Sequence, residues 1–398
     1  MKKKNIPQLT GLRFLAAFAI IMNHLVPFSL GFGPDTKIGA FSTNDGFLGM
    51  TLFFVLSGFI IHYNYYEKIM GGIKQKYKFF VARFSRLYPL FILFVFWDVS
   101  NLMFHALKNN DPETVNRIFS TIPIFILGIQ SWFYALIGNR SIVYSYDFST
   151  VTWSISTEFF FYLFYPIIAK IIGKLLHWKR IIFISILLII VNSIAFYYIY
   201  NGYLDNFAVS IFGSMAGKMN NNAFRFSNWL GFLSPYIRIF EFLVGCLIAQ
   251  LWSILHDRPA SVIELIIGPA LLAISLIYII ISWLPFSMQP DIYKLVFNFL
   301  QYRLAVPIII FGLVRYKTFF SNILSGKIIV AFGDASYSIY ILQLVIIRQL
   351  AYGGSRDNIL AIFNHGIGQI VLIIFLAILS FRYIETPARR WLKKILLF

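Results

Sequence analysis

Apolar stretches recur along the whole chain, and each approaches the roughly 20 residues that a helix needs to cross a bilayer. Ten are read here, at about 10–28, 47–66, 87–107, 152–172, 180–200, 236–255, 260–282, 296–314, 328–350 and 365–383. The pattern predicts an all-α polytopic membrane protein, a bundle of about ten transmembrane helices. No connection is long enough to build a separate soluble core, so one membrane-embedded domain over 1–398 is expected. Residues 119–137 are apolar enough for another span. Pro123 and Gly128 weaken that reading, and the segment is expected to lie in or dip into the membrane interface. Eleven or twelve spans are the alternatives.

Charge supplies the orientation. The chain carries a net charge of +18, from 34 Lys and Arg against 16 Asp and Glu. In a soluble protein this would suggest nucleic acid. Here the cations cluster in alternate connections, as cytoplasmic loops do. The clusters are Lys2 to Lys4; Lys68, Lys74, Lys76, Lys78, Arg83 and Arg86; Lys170, Lys174, Lys179 and Arg180; Arg258; Arg315, Lys317 and Lys327; and Arg382, Arg389, Arg390, Lys393 and Lys394. Both termini are therefore expected in the cytoplasm, and no nucleic-acid partner is expected. The opening lysines resemble the start of a secretory leader. No small-residue cleavage site follows them, and Arg13 and His24 interrupt the apolar run, so no cleavable leader is expected. The single cysteine, Cys246, gives no internal disulfide and no cysteine-based zinc site, and reads as a packing residue. The 201–235 connection is rich in Asn and aromatic residues, a composition that suits sugar contacts and ordinary polar loops alike.

Ionisable groups inside apolar spans are costly and so point to function. Arg13 and His24 both lie in the first span. Eleven residues are about three helical turns, so the two side chains leave nearly one face about 16 Å apart along the axis. One end of that face holds a fixed cation and the other a base that titrates near neutral pH. Arg83 and Arg86 enter the third span three residues apart, on one face. Paired guanidinium groups suit phosphate, and they also suit lipid headgroups. Glu158, after Trp153, lies one to two turns into the fourth span. It is a candidate to orient His24, or to pair with Arg238. Arg238 and Glu241 open the sixth span at a spacing that lets them satisfy each other. Asp45 sits at the mouth of the second span, where it could order His24 or a hydroxyl acceptor. Gly46, Gly49, Ser57 and Gly58 follow at helical spacing and read as helix-packing positions. No metal constellation, nucleotide-binding glycine motif or serine-hydrolase elbow is present in the sequence.

Seven motifs occur in order: Gly11-Leu-Arg13 with His24; Phe53-Phe-Val-Leu-Ser57-Gly58; Arg83-Phe-Ser-Arg86-Leu-Tyr-Pro89; Trp153-Ser-Ile-Ser-Thr-Glu158; Arg238-Ile-Phe-Glu241-Phe-Leu-Val-Gly245; Ser336-Tyr337-Ser-Ile-Tyr340; and Tyr383-Ile-Glu385-Thr-Pro387. Together, from about residue 7 to 392, they resemble the acyltransferase-3 family of membrane O-acyltransferases. The resemblance implies transfer of an acyl group, usually acetyl, from cytoplasmic acetyl-CoA or another acyl-CoA to a hydroxyl of an extracytoplasmic glycan. The acceptor would be a lipid-linked or surface polysaccharide such as O-antigen, and the location the bacterial inner membrane. It implies functional roles for Arg13, His24, Arg83 and Arg86, with the arginines holding CoA phosphates. Glu158 would hold or polarise His24. Asp45, Trp153, Arg238, Glu241, Tyr337 and Gln343 are the further substrate-binding or positioning candidates. Many members have histidine where this chain has Gln343. Glutamine hydrogen-bonds but does not titrate, so proton transfer is excluded at that position and positioning remains. The esterase-like domain of some relatives is not expected here, and neither is a metal. Two rival readings stay open. One is a transporter or flippase of lipid-linked sugars, although no paired broken helices in two related halves are evident in the sequence. The other is a non-catalytic partner in polysaccharide export.

Overall fold

The computed structural model describes residues 5–30, 37–137, 140–217, 224–284, 286–353 and 366–397. Its helices, in chain order, are α1 (Pro7–Ser29), α2 (Lys37–Ile69), α3 (Ile73–Lys108), α4 (Pro112–Leu127), α5 (Trp153–Ile172), α6 (Trp178–Tyr200), α7 (Asp205–Phe212) and α8 (Phe226–Asn228). They continue with α9 (Pro235–Leu255), α10 (Val262–Ser282), α11 (Asp291–Leu300), α12 (Ala305–Arg315), α13 (Phe319–Leu324), α14 (Lys327–Asp334), α15 (Ser336–Gly353), α16 (Gly366–Ser380) and α17 (Thr386–Leu396). Among the described residues the only sheet is a two-residue hairpin, Leu136–Ile137 with Arg140–Ser141.

Eight of these helical segments are long and apolar enough to cross a membrane, and two bent pairs bring the number to ten. The protein is thus an all-α polytopic membrane protein. The bent pairs correct the sequence reading. The stretches 296–314 and 328–350 were expected as continuous helices. Instead α11 and α12 meet at 84°, and α14 and α15 at 68°. At the first break Gln301 takes φ 46°, a conformation that ends helical propagation. At the second, α14 is held against α1, where a Cβ on Gly333 would lie 1.9 Å from the Thr10 carbonyl oxygen. The third helix also starts earlier than expected, at Ile73, and so takes Arg83 and Arg86 into its body.

The 119–137 segment is not one helix. Asp111 caps α4 by accepting from the Thr114 N–H at 3.0 Å, Pro112 opens it, and Gly128 closes it at φ 68°. Its 16 residues fall short of a spanning helix. In the 201–235 connection, residues 218–223, with Asn220, Asn221 and Asn222, lie outside the described residues, as does 365 at the start of the last expected span.

The chain packs as two compact units. Unit 1 comprises Met1–Met70, Ala169–Ile190 and Glu241–Ile384; unit 2 comprises Gly71–Ile168, Val191–Phe240 and Glu385–Phe398. In unit 1 small residues bring backbones together, as membrane helices require in the absence of a hydrophobic driving force. A Cβ on Gly49 of α2 would lie 2.7 Å from the Ala16 oxygen of α1. Gly58 of α2 and Gly245 of α9 meet reciprocally, at 2.0 Å from the Phe242 oxygen and 2.1 Å from the Val55 oxygen. The expected packing role of Gly49 and Gly58 is thus observed. Leu12, Val55, Phe59, Val244, Ile248, Leu272 and Ile309 fill the adjoining core. A second cluster joins Ala17, Ile21 and Leu25 of α1 to Ile339 and Ile347 of α15 and Ile373 of α16. α2 is the central helix, with 78% of its most apolar window buried, against 22% for α10. The exposed Ile and Leu of α10 suit a lipid-facing position.

In unit 2, α3 is the spine. Tyr88 donates to the Ile126 carbonyl of α4 at 3.0 Å, and Tyr77 to the Leu396 carbonyl of α17 at 2.8 Å. Buried Asp98 accepts from the Phe148 and Ser149 N–H groups and so ties the loop before α5 to α3.

Candidate active site

The candidate residues are divided between the two units. In unit 1, α1 carries both Arg13 and His24. His24 is half-buried, and its Nδ1 is sealed from solvent without a hydrogen-bond partner. Gln343 of α15 lies within interaction range of it. The Gln343 side chain is 0% exposed, and neither its Oε1 nor its Nε2 closes a hydrogen bond. Buried amides without partners are rare because each forfeits its hydration. This one faces the only base of the first helix. Arg348, also on α15, acts on His24 electrostatically. Tyr337 is buried on the same helix, and Tyr340 meets the Phe53 ring edge-on at 5.9 Å.

Asp45 is buried at the start of the apolar part of α2 and accepts from the Trp283 indole at 2.9 Å. Its neighbour Asn44 donates to the Ser282 carbonyl at 2.9 Å. One residue on, a Cβ on Gly46 would lie 2.7 Å from the Asn23 side chain, so this end of α2 abuts the residue next to His24. Buried Glu241 of α9 accepts from the Thr51 hydroxyl at 3.3 Å.

In unit 2, Arg83 and Arg86 of α3 and Glu158 of α5 converge on Tyr162. The Tyr162 hydroxyl donates to Glu158 Oε2, and all three charges act on it electrostatically. Arg83 and Tyr162 are buried, and Arg86 and Glu158 half-buried. Tyr162 also lines a groove of about 390 Å³ between α3 and α5. Arg238 is 1% exposed; its Nε donates to the Phe232 carbonyl at 2.9 Å and its guanidinium lies 4.5 Å from the Phe232 ring. Trp153 packs on the same ring at 5.2 Å.

The structure therefore joins Arg83, Arg86 and Glu158, joins His24 with Gln343, and joins Trp153 with Arg238 through Phe232. Three partners went unread in the sequence. Tyr162 stands four residues after Glu158, a helical neighbour spacing. Arg348 is a charge in an apolar run. Trp283 had no local signal. Chemically, the unit 2 cluster offers two guanidinium groups on one helix face, which suits an anion. The unit 1 cluster offers a base in a desolvated setting.

Residues 6–381 match the acyltransferase-3 profile, described as an acyltransferase domain, and the chain belongs to that family. It is 26% identical over 98% of its length to the "Putative O-acetyltransferase SACOL0978" of Staphylococcus aureus (strain COL), covering 58% of that protein. It is 25% identical, again over 98%, to the peptidoglycan O-acetyltransferase OatA of Listeria monocytogenes, covering 56% of it. The acyltransferase MdmB of Streptomyces mycarofaciens is 28% identical over 43% of the chain and 41% of its own length. The chain thus spans less than three fifths of these relatives. No solved structure matches it.

Proposed function

We propose that this protein is a membrane O-acetyltransferase, moving acetyl from cytoplasmic acetyl-CoA to a hydroxyl of an extracytoplasmic glycan in the bacterial cytoplasmic membrane. The observation that carries the reading is His24, a base on a membrane helix with a fully buried amide facing it, in a chain of an acyltransferase family. His24 takes the acceptor proton as the hydroxyl oxygen attacks the thioester carbonyl. The C–O bond forms, the C–S bond breaks, and the CoA thiolate leaves with the proton held by His24. The alternative route passes through acyl-His24. Gln343 positions the imidazole. Arg13, Arg83 and Arg86 hold the CoA phosphates. Glu158 accepts from Tyr162, on which the arginine pair also acts, so its proposed role is to hold Tyr162 beside those guanidinium groups. Asp45, Trp153, Arg238, Glu241 and Tyr337 are proposed for acceptor positioning. The acceptor class is a cell-surface glycan, and the basic clusters support cytoplasmic termini.

The broken helices α11/α12 and α14/α15 favour one second reading, since transporters build membrane binding sites from interrupted spans. That reading is a flippase of lipid-linked sugars. Purified full-length protein, given radiolabelled acetyl-CoA and a glycan acceptor, decides between them. Label appearing on the glycan, and absent with His24→Ala, supports the transferase. Movement of unlabelled lipid-linked sugar without acetylation supports the flippase.

A further inference from the structure

The transfer step creates a charge that the residues assigned so far do not meet. As the acceptor oxygen bonds to the thioester carbon, the carbonyl π pair moves onto oxygen, and an oxyanion forms before the C–S bond breaks. Acyl-transfer sites hold that oxygen with preset donors or cations, because its charge exists only in and around the transition state. Asp45 and Glu241, the acidic candidates of unit 1, carry the wrong sign. Arg13 lies about three turns from His24 along α1.

Arg348 is the one charged residue of α15. That helix starts beside the early part of α1. Just before it, the Phe332 ring lies 5.1 Å from the Phe14 ring, and a Cβ on Gly333 would meet the Thr10 carbonyl oxygen. The two helices then advance together. Ala17 and Leu25 of α1, and Ile339 and Ile347 of α15, belong to one buried cluster, and each pair is eight residues or about 12 Å apart on its helix. Ile347 is thus level with Leu25, and their chain neighbours are Arg348 and His24. The charge of Arg348 reaches the imidazole. Its Nε is sealed from solvent, unlike the head of an arginine that snorkels to water.

Given the transferase reading above, we propose that Arg348 binds the oxyanion of the acetyl thioester as His24 takes the acceptor proton. The guanidinium donates N–H bonds to the carbonyl oxygen and gives up no proton. When the π pair returns to re-form C=O, the C–S bond breaks and the thiolate leaves. The charges balance. Proton transfer makes His24 a second cation within the field of Arg348, and the oxyanion formed in the same step offsets it. The site keeps one net positive charge throughout.

The test is steady-state transfer by purified full-length protein, with acetyl-CoA and the glycan acceptor that wild type uses. Arg348→Ala lowers kcat about 100-fold, as loss of one oxyanion donor does, and moves KM for either substrate little. Guanidinium added to that variant restores part of kcat and does nothing for His24→Ala. Arg348→Gln keeps length and hydrogen bonding without the charge. It shows a similar kcat loss, and it decides the question if the alanine variant fails to accumulate. Unchanged kcat in Arg348→Gln overturns the proposal and leaves a membrane anchor. A loss confined to KM for the glycan overturns it too, and puts the cation on an acidic group of the acceptor. An accumulated alanine variant whose kcat guanidinium does not restore marks a merely structural role. Full activity of His24→Ala is a different failure, since it removes the base whatever Arg348 shows.

Discussion

The Tyr162 hydroxyl donates to Glu158 one turn earlier on α5, within the field of Arg83 and Arg86. The hydroxyl thus gives the carboxylate a neutral donor. Hydrogen bonds to charged groups contribute about 1.5–3 kcal/mol. Tyr162→Phe should leave insertion intact and lower kcat/KM for acetyl-CoA about ten-fold, chiefly through KM. An unchanged donor dependence would detach this pair from the donor site.

His24 and Gln343 should separate by the size of their effects. His24→Ala removes the only base of the α1 face and should abolish transfer while the protein still accumulates. Gln343→Leu keeps the base and loses the amide, so roughly a ten-fold fall in kcat is expected, partly restored by Gln343→Asn. Activity of His24→Ala near wild type would remove the base from the scheme.

The glycine crossing of α2 and α9 predicts a stability effect far from the chemistry. A Cβ on Gly58 meets the Phe242 carbonyl oxygen at 2.0 Å, so Gly58→Ala forces two backbones apart. Overpacking of this kind costs about 1–3 kcal/mol. Thermal unfolding in detergent should fall accordingly, whereas Ser210→Ala at an exposed position should leave the midpoint unmoved.

Orientation is open to direct labelling. Lys76→Cys places a thiol at a half-buried position and Ser210→Cys one at an exposed position, on the connections expected inside and outside the cell. In intact spheroplasts an impermeant thiol reagent should modify Ser210→Cys, and reach Lys76→Cys only after lysis. The opposite pattern would invert the assignment and remove the arginine pair from the acyl-CoA pool.

The spans were legible because apolarity over about 20 residues is imposed by the bilayer itself. The breaks within two of them were not, since mean apolarity carries no record of backbone direction. Gln301 and Gly333 acquire their meaning only from a φ angle and from a carbonyl on another helix. Arg83 and Arg86 announced their shared face by spacing, but the Glu158–Tyr162 bond hid in an aromatic run, Phe159-Phe-Phe-Tyr162, that reads as packing. Asp45 was legible as a costly residue. Its partner Trp283 lies 238 residues away, and the sequence holds no trace of that distance.

The close approach of α2 and α9 has another effect. Cys246 sits at that crossing, fully buried, with its thiol directed at the Gly58 carbonyl at 3.4 Å. The chain's one sulfhydryl is thus shielded by two backbones that leave no room for a reagent. Thiol-directed reagents should leave Cys246 of the native protein unmodified, and any cysteine introduced elsewhere reports on its own surroundings alone.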